Sequence, residues 1–461
     1  MLSKEILTQV LKTALANGGD FAEVFIEEKK TIGISCEENK IEVVSSGTDS
    51  GVGLRLIFKD KTFYASTSEL TKESLIKTAK TLSKGISGRP KKIKINLQPA
   101  KANVNFKIRR LPSEVKIEEK VRIVKEANKR ARSIDKRIKQ VMVGYGDSIK
   151  KITIANSNGT LAEDEKIQLL FSVTVVVKEK GILQTGTETK GGFIGWEIFG
   201  EFSPEAIATI AAKRAILMLE AQKAPAGEMT VVLSSSAGGT MIHEAIGHGL
   251  EADIIQKGGS KYCGKMDKKI ASSLITVIDD PTLPNKRGSY RFDDEGNPSQ
   301  KTVLVETGVL KKYLYDYLTA KKDRVEPTGN GRRQSYHYRP IPRMSNTYIA
   351  SGKSDPEEII KSTKKGLFVK KMGGGQVDCV NGDFVFEVEE GYLIEDGKIT
   401  NPVRGATLIG NGPKILKEID MVGNDLGFEI GTCGKEGQGV PVSDGQPTLR
   451  IPKIIVGGTK G

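Results

Sequence analysis

Two of the three histidines in this 461-residue chain lie in one short stretch, residues 238–251, GGTMIHEAIGHGLE. His243 is followed directly by Glu244, and His248 comes five residues after His243. Two imidazoles and a carboxylate are the side chains that hold a zinc ion and exchange a proton with water in H-E-x-x-H sites. Here the spacing is H-E-x-x-x-H. A regular helix advances about 100° per residue, so residues five apart diverge by about 140° and cannot both face one ion. A metal site therefore requires a distorted helix, either a one-residue π-bulge or a break at Gly247 or Gly249, where glycine tolerates unusual backbone. Without that distortion the stretch is a buried, glycine-flanked helix whose histidines are merely hydrogen-bonded.

A catalytic zinc takes three protein ligands and keeps a position open. By residue type the third could be His337, Cys433, Cys263, Cys379 or an acid such as Glu251. Cys433 stands in Gly431-Thr432-Cys433-Gly434-Lys435, a glycine-bracketed segment whose cation would favour the thiolate that metals bind. Cys263 has similar flanks, Cys379 sits beside an Asn381-Gly382 turn, and His337 is chemically as good a ligand. The residues alone leave these alternatives open.

The elements that must position such a site read as α+β. Leu7, Val10, Leu11 and Ala14 recur at helical spacing and stop at Asn17-Gly18-Gly19. Alternating runs follow at Ala22/Val24/Ile26, Ile32/Ile34/Cys36, Ile41/Val43 and Val52/Leu54/Leu56/Phe58, with Cys36 as a small core side chain. Helices are expected near 71–83 and 114–132, the second with Ile117, Val121, Val124 and Ala131 on its buried face. The Lys-rich segment 89–94 reads as a solvated loop leading into a strand. Strands with an Asn158-Gly159 hairpin turn occupy 137–190. Ser203-Pro204-Glu205 opens a helix to about Gln222. The Ala224-Pro225-Ala226-Gly227 linker divides an N-terminal α/β domain, 1–224, from a β-rich, barrel-like domain, 225–461, that carries the H-E-x-x-x-H helix. Hairpin turns in the second half are expected at Thr307-Gly308, Asn381-Gly382 and Asp396-Gly397, and short helices near 314–322 and 356–364.

Composition excludes several classes. With 38% hydrophobic and 28% charged residues the chain is a soluble globular protein rather than a disordered one. No apolar run approaches the roughly 20 residues of a membrane span, and the N-terminus lacks a signal-peptide core, so the expected location is cytoplasmic. Four scattered cysteines with no C-x-x-C pair argue against a disulfide framework. The net charge of +14 admits nucleic acid as a partner. Its basic residues are interleaved with glutamates, however, and abundant Lys, Glu and Ile fit adaptation to high temperature. No nucleic acid and no membrane is expected.

Several tracts carry a resemblance. Gly373-Gly374-Gly375-Gln376-Val377-Asp378, Arg404-Gly405-Ala406-Thr407-Leu408-Ile409-Gly410, Val422-Gly423-Asn424-Asp425, Cys433-Gly434-Lys435-Glu436-Gly437-Gln438 and Gly445-Gln446-Pro447-Thr448-Leu449 resemble, in order along the chain, the TldD/PmbA family of metalloproteases. H-E-x-x-x-H with a downstream C-G-K is the zinc pattern of the TldD branch, which the PmbA (TldE) branch lacks. The resemblance implies zinc held by His243, His248 and Cys433, with Glu244 as general base. It also implies cleavage of peptides or unfolded small proteins, and pairing with a PmbA/TldE-like partner or a second copy of the chain.

Substrate gripped as an added β-strand would draw affinity from its backbone. The 373–378 tract (Gly373, Gly374, Gly375) and the 342–348 tract (Asn346) would then supply edges and polar contacts, with His337 as a cleft residue. The rival readings are a catalytically silent binding subunit of a protease assembly and a basic nucleic-acid-binding protein.

Overall fold

Side chains on a strand alternate between two faces, and in the first half of the molecule each face has its own partner. The computed structural model describes residues 2–90, 93–378 and 380–458. Its first sheet has seven strands, with Phe21–Glu37 and Lys40–Phe58 forming a long hairpin through Glu38 and Asn39, both at positive φ. Phe21–Glu37 also pairs with Ile138–Asn156, which pairs in turn with Thr160–Glu179. The two expected strands around Ala22 and Ile34 are thus one. Glu27 and its charged neighbours do not interrupt the ladder, because Glu27 is buried and meets Lys150 at 3.2 Å.

Helices cover one face of this sheet. Lys4–Ala14 and Lys72–Lys84 pack over Val24, Leu54 and Leu56, while Ile117–Arg132 and Pro204–Glu220 pack over Ile34, Cys36, Val141 and Val173. Ser203 caps the last of these, accepting the Ala206 amide at 3.1 Å. On the opposite face Phe25 meets Phe292 and Tyr336 of the second half. Arg55 pairs with Glu295, and Arg333 with Glu23, across the same junction.

The helix Ile117–Arg132 corrects the expected face. Ile117 is 37% exposed, and the buried residues are Lys120, Ile123, Val124, Ala127, Asn128 and Ala131. The helix is turned so that the Lys120 ammonium reaches the buried Asp147 at 2.6 Å, and Asp147 also accepts the Tyr145 hydroxyl at 2.5 Å. Removing one member of a buried pair leaves an uncompensated charge. Lys120→Met is therefore expected to cost about 3–5 kcal/mol of stability. Adding Asp147→Asn should recover most of that loss in urea unfolding; losses that simply add would show that the pair is not coupled.

Among the described residues the second sheet has twelve strands. Five of them close on themselves: Gly227–Leu233 pairs with Lys365–Val377, then Asp383–Glu395, Thr407–Asn411 and Gln438–Gly457, which returns to Gly227–Leu233. This is the expected barrel. Val231, Leu233, Leu367, Phe386, Leu449 and Ile451 of the ring share one buried core with Met241, Ile242 and Ile246 of the histidine-bearing stretch. Left-handed residues make the turns at Thr307-Gly308 and Asp396-Gly397, and Gly382 is left-handed in the third. The short helices are Tyr317–Asp323 and Pro356–Lys361. The helix Gly412–Glu418 has no counterpart among the expected elements. Strand Gln222–Lys223 already pairs with Val403 and Arg404 of the second sheet. Cys379, and Lys91 and Lys92 of the Lys-rich loop, lie outside the described residues. Among the described residues no helix is long and apolar enough to cross a membrane.

Candidate metal centre

The five-residue spacing is accommodated by a change of helix type. After a single α-helical turn, Thr240–Ile242, the chain forms a π-helical turn over His243–Gly247 and a 3₁₀ turn over His248–Leu250. The His248 amide donates to the His243 carbonyl, an i→i+5 bond that stacks the second histidine above the first. The surroundings hold this distortion in place. A Cβ at Gly247 would come within 2.0 Å of Met344 Sδ, so any side chain there would have to displace the buried Met344. The Tyr262 hydroxyl donates to the Ala245 carbonyl at 2.9 Å, and Ser260 Oγ to the Gly249 carbonyl at 2.7 Å. Carbonyls displaced from regular helical bonding are thereby satisfied.

The third residue arrives on strand Met421–Lys435, which pairs with Gln438–Gly457. The Cys433 Sγ lies 3.4 Å from His248 Nε2, and the ligand atoms of His243, His248 and Cys433 all fall within 4.8 Å of one another, every one of the three residues buried. Each imidazole is held from behind: His243 Nδ1 is 2.7 Å from Asp444 Oδ1, and His248 Nδ1 is 2.9 Å from Glu251 Oε2. With hydrogen on each Nδ1, both Nε2 lone pairs are free to bind a metal, the usual carboxylate–histidine arrangement of zinc sites. Lys435 holds Glu251 at 3.0 Å and Asp253 at 2.6 Å, and Arg343 donates to the Cys433 carbonyl at 2.5 Å.

The electrostatics follow from these contacts. Burial pushes the Cys433 thiol up, but hydrogen bonds and charge from His243 and His248 outweigh it and bring the thiol down to about 5. The thiolate is thus favoured by the imidazoles; Lys435, expected to do this, is engaged with Glu251 and Asp253 instead. Burial lowers His248, yet the Glu251 charge and the Cys433 hydrogen bond raise it to about 10. His243 is likewise raised, by Asp444 against burial. Burial raises the Glu244 carboxyl, with the two imidazoles opposing.

Two nitrogens and a thiolate, preorganised by buried carboxylates, suit a borderline-soft divalent ion such as zinc. The cluster opens on a cleft of about 560 Å³ whose lining includes Glu244, Gln376, Val377, Glu429 and residues 430–435.

The other sequence candidates lie elsewhere. Cys263 Sγ donates to the Ile255 carbonyl, and His337 is exposed and lies tilted against Tyr336, with ring centroids 4.0 Å apart. Glu251 is the partner of His248 rather than a member of the ligand group. Asn346 is fully buried, with its amide spent on the Asp280 carbonyl, Ser289 Oγ and the Gly288 amide. Gly373 and Gly374 form a bulge between the Met372–Val388 and Gly375–Phe386 pairs, Gly375 being itself paired, whereas Gln376 and Val377 line the cleft. Asp444 was not anticipated at all. It is 201 residues from His243 along the chain, and no local pattern announces it. Glu251 had a signal: three residues after His248 is within side-chain reach on a helical turn.

Comparison with known proteins places these observations. The PmbA/TldA metallopeptidase family matches the chain in three parts: domain 1 over residues 22–85, the central domain over 110–219 and the C-terminal domain over 226–458. A metalloprotease TldD homolog of Haemophilus influenzae is 38% identical over 473 aligned residues, covering 99% of this chain and 97% of that protein. A zinc metalloprotease TldD homolog of Saccharolobus solfataricus is 29% identical, covering 97% and 99%. Among solved structures, TldE from Thermococcus kodakarensis has a TM-score of 0.79 at 21% identity, covering 98% of this chain and all of that one, a likeness of fold.

Proposed function

The chain belongs to the TldD/PmbA family of metallopeptidases, and from that premise we propose that it is a zinc peptidase acting on unstructured peptides. The observation that carries this reading is the convergence of two carboxylate-backed imidazoles and a thiolate at one cleft, with Glu244 on its wall. His243, His248 and Cys433 are the proposed zinc ligands. The name of the Saccharolobus relative supports zinc among the metals that would suit them.

A bound zinc would supply Lewis acidity, acidifying water and polarising the scissile carbonyl. The chain's own residues do the rest. Asp444 and Glu251 fix the rings with Nε2 forward. Glu244, its affinity for a proton increased by burial, accepts one from the attacking water on its carboxylate and returns it to the leaving amine. Substrate is held in extended form against Gln376, Val377 and the 429–435 strand segment, whose outer edge has no strand partner among the described residues. We retain 1–224 and 225–461 as the proposed working units. Treatment with a zinc chelator is expected to abolish cleavage of an unstructured peptide, with added zinc restoring it. Cleavage that survives complete metal removal would refute the reading.

A TldE-like chain, or a second copy of this one, is the proposed partner. Exposed Val385, Ile409 and Ile455 lie side by side on three neighbouring strands, an apolar patch bordering the cleft at Gln376 and Val377. A monomer in light scattering that cleaves peptide at full rate and ignores an added TldE-like chain would rule the partner out.

A further inference from the structure

Behind the hairpin that carries Cys433 lies a second cavity of about 550 Å³, roofed by the first sheet and floored by the second half of the chain. The two cavities meet at Thr432, which lines both. Thr432 leaves its strand on the face opposite Cys433, as alternation requires.

This second cavity is basic in a particular way. Most of its charges are matched: Lys150 with Glu27, Lys166 with Asp294, Arg333 with Glu23, and Asp147 with Lys120. Arg287 and Arg332 are different. Neither has a carboxylate partner among the described residues. The Arg287 guanidinium donates to the Gly431 carbonyl at 3.1 Å, and more weakly to Gln168 and to Thr432 Oγ1. Arg332 is 5% exposed, donates to the Met344 and Pro441 carbonyls, and lies 5.1 Å from the centre of the Tyr290 ring. Burial, with the charge of Arg332 nearby, brings the Arg287 guanidinium down to about 10. A partly exposed and a buried guanidinium, neither paired with a carboxylate among the described residues, leave positive charge uncompensated at this cavity, and planar forked donors of this kind suit a carboxylate.

Their place relative to the metal cluster gives the pair a use. Arg287 holds Gly431, and only about 7 Å of strand separates Gly431 from Cys433. A peptide laid along the outer edge of this strand would turn alternate groups toward the two faces. One set would face the cluster and the next would face the arginines.

We propose that the cavity lined by Arg287 and Arg332 is a substrate subsite that receives a peptide carboxylate, so that the preferred substrates carry a negative charge close to the scissile bond. This rests on the peptidase reading above and adds a substrate class to it. Two sources share the chemistry, a free C-terminal carboxylate and an acidic side chain.

The test uses the full-length, zinc-loaded protein and unstructured peptides matched in pairs. One pair differs only in a C-terminal carboxylate or amide; the other carries Glu or Gln at a position near the cleavage site. Charged hydrogen bonds of this kind correspond to a preference of roughly 10–100-fold in kcat/KM for the carboxylate member of at least one pair, carried mainly by KM. The pair that shows the preference identifies the source. In Arg287→Gln the ratio should fall toward unity, while Arg287→Lys keeps part of it, with zinc content measured on each variant.

Binding of the same labelled peptides to the Glu244→Gln protein provides a second readout that needs no turnover. If neither peptide is cleaved but the carboxylate form binds more tightly, the peptidase reading fails and the carboxylate site stands. If all peptides are cleaved alike by the unsubstituted protein, and bound alike by Glu244→Gln, the site is overturned and the peptidase reading stands. Because neither comparison needs an Arg287 substitution, an Arg287 variant that fails to fold does not leave the matter open.

Discussion

Glu244→Gln is expected to keep its zinc and its fold while cleavage of an unstructured peptide falls by about 10²–10⁴-fold, the usual contribution of a positioned proton-transfer group. The substitution preserves shape and removes basicity. Glu244 belongs to the same π turn as His243 but is not one of the three clustered donors, so its loss subtracts no metal contact. Its carboxyl is raised by burial, which matches a group that must both take and return a proton. Zinc stoichiometry and cleavage have to be measured on one preparation. Unchanged cleavage with zinc retained would remove Glu244 from the mechanism. Glu251 is a poor substitute for that role, because its Oε2 is committed to His248 and Lys435.

Cys433→Ala is expected to release the metal. Outer partners of zinc ligands typically contribute 10–100-fold to affinity, and a directly bound thiolate should contribute at least the upper end of that range. The loss is compounded here, since the thiolate is also the group on which His248 Nε2 converges. His337→Ala serves as the comparison: that ring is exposed, packed against Tyr336 and absent from the cluster, so its zinc content should match the unsubstituted protein. Competition with a chromophoric chelator measures both. Zinc retained at full affinity in Cys433→Ala would transfer the assignment to another side chain.

Several parts of this arrangement were legible in the amino-acid order. The five-residue interval between His243 and His248 forced a choice between no shared site and a distorted helix, and the π turn is that distortion. Turn residues placed the hairpins at Thr307-Gly308 and Asp396-Gly397, since their backbone chemistry is local. Cys433 was different: by residue type it could not be separated from Cys263 or His337, and the family resemblance singled it out. The carboxylate behind His243 could not be read at all. Asp444 meets it through strand pairing that closes a barrel, and no spacing rule reaches across 201 residues. Periodicity also misjudged Ile117–Arg132, because a pattern of apolar residues carries no information about a lysine buried against a distant aspartate. Asn346 failed for a related reason, its amide being used up inside the fold.

The most direct measurement of the central claim is X-ray absorption at the zinc edge on the loaded, full-length protein. One sulfur at about 2.3 Å and two imidazole nitrogens at about 2.0–2.1 Å are expected, with the sulfur shell disappearing in Cys433→Ala. A zinc environment of nitrogen and oxygen alone, or no bound zinc after loading, would contradict that claim.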